Sequence, residues 1–368
     1  MRPLDGIRVV DVTEGAQGPY AASLLADLGA EVVKLERPGG EMMRSSGPFI
    51  GGLALPCLTI CHGRTACVTL DLKDRDAMAG VRALVACADL FVQNWKIGTD
   101  EKLSLDFAAC VALNPHLVYV RSSGFGGEGP YAREGSMDML SQAASGMASL
   151  SGLAGTAGER ARTPVLDFVS AFTCAEAAML GLAARARSGT AQFVDTSQLA
   201  SALDAMGPEV AAARHGPLGP AEGRSRHTCG GFFATADGQW LAVECVTAQH
   251  EAGLAAAFPG AADHGVLVAA VAEQTMTDAC ATLARHGVPH AKVVRHFDAS
   301  AIERRPGNLQ RYIDATAGEI RFPEAPWIFC GTPVRAGAPL GPPGRDDAAF
   351  PALRRRWQAA HAQRGAAA

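Results

Sequence analysis

The sequence predicts an α/β protein, with a large lobe built on a mainly parallel sheet and a smaller α+β lobe after it. Three observations carry this prediction. Over the first hundred residues short β-branched runs alternate with helical patterns, as βαβ units require. Beyond Gly127 the pattern becomes helical. Past a Gly- and Pro-rich stretch from Gly216 to Gly223, two apolar runs flank Asp237-Gly238, a hairpin signal that opens a second lobe.

Taken in order, strands are expected at Ile7–Val12, Glu31–Leu35, Ala66–Leu70, Leu90–Gln93 and Leu117–Arg121. The intervening helices fall at Tyr20–Leu28, Ala77–Cys87 and Phe107–Leu113. Then come helices at Met137–Leu150 and Asp167–Arg187, a short run Gln192–Asp195, and a helix Gln198–Arg214. These make a large domain over 1–214. A small α+β domain over 224–320 holds the hairpin Gly231–Val246 and helices at Ala248–Ala257 and Val266–His286. The segment 321–368 is dense in Pro and Gly up to Gly344. It closes with a basic helix, Ala352–Arg364, expected to pack back on the first lobe or on a partner subunit.

With 368 residues, 48% hydrophobic and 19% charged, the chain has enough apolar sequence for a large core. A formal charge of −4 gives no overall basic footprint for nucleic acid, so an anionic ligand has to be held locally. The N-terminal residues lack a secretory pattern, and a cytoplasmic location is expected. The apolar stretch Phe168–Ala184 is Ala-rich and broken by Ser170, Thr173 and Glu176, which suits a buried core helix better than a membrane span. Ten cysteines are scattered without CxxC spacing, and Cys57, Cys61 and His62 have no second ligand pair after them, so no metal is expected.

The first βαβ unit invites a dinucleotide reading, but Thr13-Glu14-Gly15-Ala16-Gln17-Gly18-Pro19 does not carry G-x-G-x-x-G. What remains is a Gly-Pro turn at a helix N-terminus, whose free N–H groups suit an anion or oxyanion. Arg37 stands at the carboxyl end of the second strand, where open α/β sheets bind ligands, and a guanidinium there can hold a phosphate. Solvated surface arginine is the alternative, and the same choice applies to Lys73, Asn94 and Lys102. Asp167, set between Val165-Leu166 and Phe168 at a helix start, is either a desolvated nucleophile kept ionised by the helix dipole or a plain N-cap.

Together, Pro3–Asp11, Gly18-Pro19, the block Leu25–Gly40, Leu70–Lys73, Gly124–Pro130 and Thr235–Gly238 resemble the class III CoA-transferases, a family that includes the alpha-methylacyl-CoA racemases. The resemblance implies a Rossmann-like large domain completed by the C-terminal segment, in an interlocked homodimer. It implies transfer of CoA between an acyl-CoA thioester and a free carboxylic acid, through an aspartyl anhydride at Asp167. Asp138 belongs to the preceding helix and is the weaker candidate. Gln17 would orient the acyl carbonyl, although the glutamine of some transferases falls one position earlier, at Ala16 here. Arg37, Leu72, Lys73, Asn94 and Lys102 would line the CoA site. CoA is then a co-substrate, with no resident cofactor, metal, nucleic acid or membrane partner.

Two alternatives stay open: a 2-methylacyl-CoA racemase and a non-catalytic acyl-CoA binder. The racemases use a histidine beside the first aspartate, where this chain has Met137, and their second-lobe glutamate has no counterpart near Val246-Thr247-Ala248-Gln249. Gly230-Gly231 is read either as a mobile lid over the anhydride or as a flexible turn.

Overall fold

A computed structural model describes the chain except for residues 151–157, 214–228, 295–308, 315–317, 324, 328, 333, 335–336 and 368. It divides into two compact units, one formed by Met1–Gly207 with Pro306–Ala368, the other by Pro208–Arg305. The expected linker from Gly216 to Gly223 lies outside the described residues.

The first unit is organised by six strands: β1 (Arg8–Asp11), β2 (Glu31–Glu36), β3 (Ala66–Thr69), β4 (Leu90–Gln93), β5 (Val118–Ser123) and β6 (Gln192–Ser197). Every pairing is parallel, in the order β3-β2-β1-β4-β5-β6. This is a doubly wound order, in which the winding reverses between β1 and β4. Successive residues face opposite sides, yet Val9, Val10, Leu90, Phe91 and Val92 are all fully buried because helices cover both faces. On one face lie α1 (Gln17–Asp27) and α4 (Val165–Ser188), against Val9, Val32, Leu90 and Val118. Small residues let α4 approach closely: a Cβ at Gly181 would come within 2.5 Å of the Val118 side chain. By length and composition α4 could cross a membrane; here Ala171, Cys174 and Ala178 pack it on the sheet.

The other face is covered by α2 (Arg75–Val85) and by the C-terminal helix α6 (Phe350–Ala367), which inserts Phe350 and Trp357 into the core. Trp357 is 1% exposed, its indole Nε1 donates to Glu31 Oε1 at 2.9 Å, and its carbonyl accepts from Arg8 Nη1 at 3.0 Å.

Several boundaries differ from the sequence expectation for local reasons. Helix α1 starts at Gln17 rather than Tyr20, because Pro19 fits a first turn and Gly18 lets the Thr13 side chain within 2.4 Å of where a Cβ would stand. The expected helix Met137–Leu150 is interrupted: α3 (Asp138–Ala144) ends before Gly146, whose φ of +85° suits glycine, and a 3₁₀ turn follows at Met147–Leu150. The run Gln192–Asp195 becomes the full strand β6. The expected helix Gln198–Arg214 divides into α5 (Gln198–Ala205) and Gly207–Ala213, with Arg214 outside the described residues.

In the second unit Cys229–Ala234 and Trp240–Cys245 form the hairpin, joined by His290–Lys292. Gly230 and Gly231 are ladder residues opposite Glu244 and Val243, so the reading as a flexible turn is corrected to strand. The expected helix Val266–His286 is two, His264–Ala272 and Met276–Arg285, because the Thr275 hydroxyl caps the second by accepting from Asp278 N.

Candidate active site

A buried ionic cluster sets the turn that follows β1. Asp11 accepts from the Thr13 backbone N–H at 2.9 Å and pairs with Arg64 at 3.0 Å, both side chains being fully buried. Arg64 also donates to the Pro19 carbonyl at 2.6 Å and to Ser23 Oγ at 2.8 Å, tying the turn to α1. Lys34 pairs with Glu41 at 2.9 Å and donates to the Thr13 carbonyl, while Glu41 Oε1 accepts from Gly15 N at 2.8 Å. Burial alone would lower the Lys34 pKa; the Asp11 and Glu41 carboxylates override it and raise it. The turn from Thr13 to Gln17 is thereby fixed at the carboxyl end of β1, beside the reversal of winding.

A cleft of about 840 Å³ opens there. Its lining includes Gln17, Asn94, Ser122, Asp138, Asp167 and Gln198. Gln17 is 5% exposed and its Nε2 donates to Ser122 Oγ at 2.5 Å. Asn94 uses both ends of its amide on the turn itself: Oδ1 accepts from Glu14 N at 2.9 Å and Nδ2 donates to the Glu14 carbonyl at 2.7 Å.

Asp167 is the third residue of α4, not its cap. The capping acceptor comes from α3: Asp138 Oδ1 accepts from Leu166 N at 2.8 Å and Asp167 N at 3.3 Å, while its Oδ2 accepts from Gln142 Nε2 at 2.6 Å. This excludes the N-cap reading of Asp167 and leaves its side chain to the cleft. Oδ1 accepts from Gln198 Nε2 at 2.5 Å. Burial first, then the Asp138 charge, push the Asp167 pKa up to about 6, against a lowering by the Gln198 hydrogen bond. The expectation that the helix start keeps this carboxyl ionised is corrected in direction: burial and the like charge of Asp138 raise its pKa.

Of the residues singled out in the sequence, Gln17, Asn94 and Asp167 meet in this cleft. Arg37 is exposed and pairs with Glu14 at 3.1 Å. Lys73 and Lys102 are exposed, and Leu72 is half-buried against the core. These four lie outside the cleft lining. Sequence reasoning missed Gln198, which is 4% exposed and opens α5 directly after β6. Its Oε1 accepts from Ser136 Oγ at 2.8 Å and Ser141 Oγ at 2.7 Å. Ser136 approaches because residue 124 is glycine; a Cβ there would stand 2.0 Å from Ser136 Cβ.

A doubly wound sheet with a half-buried carboxylate in a cleft at its reversal point is the arrangement in which open α/β proteins hold ligands. The chain belongs to CoA-transferase family III, whose sequence profile matches residues 4–347. It is 34% identical over 262 residues to the succinyl-CoA–L-malate CoA-transferase alpha subunit of Chloroflexus aurantiacus, a match covering 67% of this chain and 59% of that protein. It is 34% identical over 209 residues to the succinyl-CoA:mesaconate CoA-transferase of Haloarcula hispanica, covering 54% and 52% of the two. The chain thus spans about half of these curated relatives. In fold it is similar to a CAIB/BAIF family protein of Brucella suis, with a TM-score of 0.80, 24% identity, and coverage of 96% of this chain and 99% of that one.

Proposed function

We propose that this protein moves CoA between an acyl-CoA thioester and a free carboxylic acid, through a mixed anhydride on Asp167. The observation that carries the reading is the freedom of that carboxylate. Capping is done by Asp138, Gln198 occupies Oδ1, and Oδ2 has no hydrogen-bond partner among the described residues. A half-buried carboxylate with one bare oxygen in a cleft is a competent nucleophile.

The bond changes close without a redox partner. Asp167 Oδ2 attacks the thioester carbonyl, an O–C bond forms, the C–S bond breaks, and CoA leaves as thiolate. The thiolate then attacks the aspartyl carbonyl and expels the donor acid as carboxylate. The acceptor carboxylate attacks the resulting aspartyl thioester and releases thiolate again, which finally takes the acceptor acyl group and frees Asp167. CoA is a co-substrate in this scheme. Gln17, at the turn beside the cleft, orients the acyl carbonyl. The exposed cations Arg37, Lys73 and Lys102 serve the CoA phosphates, Leu72 flanks the adenine, and Asn94 fixes the turn. We assign the working protein to the cytoplasm as a homodimer.

Racemization is disfavoured by the cleft rim. Met137 is 67% exposed there, a thioether moves no proton, and no histidine is among the lining residues described. Succinyl-CoA is the first donor to test, because the relatives' names carry it. In heavy water with a panel of acyl-CoA donors and carboxylic acids, the expected result is new thioester without deuterium at the α-carbon. Deuterium uptake without transfer would establish the racemase, and binding without either signal would establish a non-catalytic binder.

The acid limb of kcat/KM is expected near pH 6, because only ionised Asp167 attacks and its pKa stands at about 6. Asp138→Asn keeps an oxygen to cap α4 but removes the like charge, so this limb moves to lower pH. The same substitution takes an acceptor from Gln142 and costs about 1 kcal/mol of stability, read by urea denaturation.

A further inference from the structure

We propose that Gln198 is the oxyanion donor for the two steps in which the carbonyl of Asp167 itself is attacked. The inference rests on the anhydride reading above and deepens it, by assigning separate roles to the two carboxylate oxygens. Gln198 Nε2 donates to Oδ1 at 2.5 Å, so the bare oxygen Oδ2 is the one that forms the anhydride and Oδ1 is retained as the aspartyl carbonyl. When CoA thiolate attacks that carbonyl carbon, an S–C bond forms and the carbonyl electron pair moves onto Oδ1. Collapse breaks the bond to Oδ2, which leaves in the donor carboxylate. When the acceptor carboxylate attacks the aspartyl thioester, an O–C bond forms, Oδ1 again takes the charge, and CoA leaves as thiolate. No proton moves in either step, so a fixed N–H dipole is the fitting form of help.

The dipole is fixed by its far end. The Ser136 and Ser141 hydroxyls stand 2.8 and 2.7 Å from Gln198 Oε1 and 2.7 Å from each other. With two hydroxyl protons among three contacts, and no second proton for the Ser–Ser contact, at least one is available to Oε1. The reverse amide orientation would set Oε1 against a carboxylate oxygen, two acceptors facing at 2.5 Å. Nε2 therefore points at Asp167 before substrate arrives. In the other two steps the charge develops on the acyl carbonyl of donor or acceptor, an atom Asp167 does not carry, so the role of Gln198 divides the cycle.

Gln198→Met keeps length and removes the N–H. The variant is mixed with radiolabelled succinyl-CoA, or with whichever donor labels the wild type first in the panel. The reaction is run at pH 8, quenched within one turnover, and read for label on the Asp167 peptide and for released donor acid. Label is expected to reach Asp167 within about tenfold of the wild-type rate and then to persist, with acid release slowed on the order of 100-fold. Ser136→Ala/Ser141→Ala keeps Gln198 but frees its amide, and the same persistence is expected at about tenfold. Equal slowing of labelling and release in both variants, or release at the wild-type rate, overturns the assignment. Absence of label on wild-type Asp167 under every donor brings down the anhydride reading as well, so the two failures are told apart.

Discussion

Asp167→Ala lowers CoA transfer by at least about 10⁴-fold while leaving the fold intact, because it removes the atom that carries the acyl group and nothing that holds α4. The helix start keeps its acceptor, since Leu166 N and Asp167 N donate to Asp138. Stability gives a second, independent readout with a defined sign. The folded carboxyl titrates at about 6 against an ordinary value of 3.8. Between those values the folded state holds a proton that the unfolded state has lost, so ionised Asp167 destabilises the protein above pH 6 and the cost disappears below about 4. Going from pH 4 to pH 8, the stability difference between variant and wild type therefore moves in the variant's favour by on the order of 1–2 kcal/mol, after discount for partial exposure. Melting curves at both pH values check it. A difference independent of pH would mean that the carboxylate is not desolvated.

Arg64→Met costs about 3–5 kcal/mol, measured by urea unfolding. The substitution leaves Asp11 fully buried, with Lys34 as its remaining cation at 3.9 Å. It also leaves the Pro19 carbonyl without the donor it has at 2.6 Å, directly beside the turn that carries Gln17. Loss of stability is accompanied by a rise in KM, since the turn at the cleft is no longer fixed. Replacing both Asp11 and Arg64 by apolar residues recovers part of the stability but not the KM, because the unpaired charge is gone while the turn stays loose.

Most of the large unit was legible because its signals are local. Short β-branched and apolar stretches such as Val9-Val10 in Arg8–Asp11 and Leu90-Phe91-Val92 in Leu90–Gln93 are bounded by polar residues, and pattern and length identify them without long-range information. Helix ends were less legible where a through-space partner decides them. The cap of α4 is Asp138, separated from Leu166 by 28 positions, and no window around Asp167 reveals it. The same holds for Gln198, whose chemistry depends on β6 pairing with β5 and delivering the start of α5 to Asp167, 31 positions away. A signal was present: Ser197 caps α5 at the carboxyl end of a strand, where α/β sheets place ligand-binding groups. It became usable only once Gln192–Ser197 was known to belong to the sheet. Asp167 was reached by family resemblance, and Asn94 was singled out as a ligand contact without sight of its two hydrogen bonds to Glu14, a partner 80 positions away.

The oxygen atoms of Asp167 test the central claim most directly. When turnover is run with an acceptor acid labelled with ¹⁸O in its carboxylate, the second anhydride leaves one acceptor oxygen on the aspartate each time the cycle closes. Mass spectrometry of the peptide containing Asp167 is then expected to show a single ¹⁸O in that side chain from the first turnover onward, because Oδ1 is retained and only the other oxygen is exchanged. Transfer that proceeds with Asp167 remaining unlabelled would contradict the account.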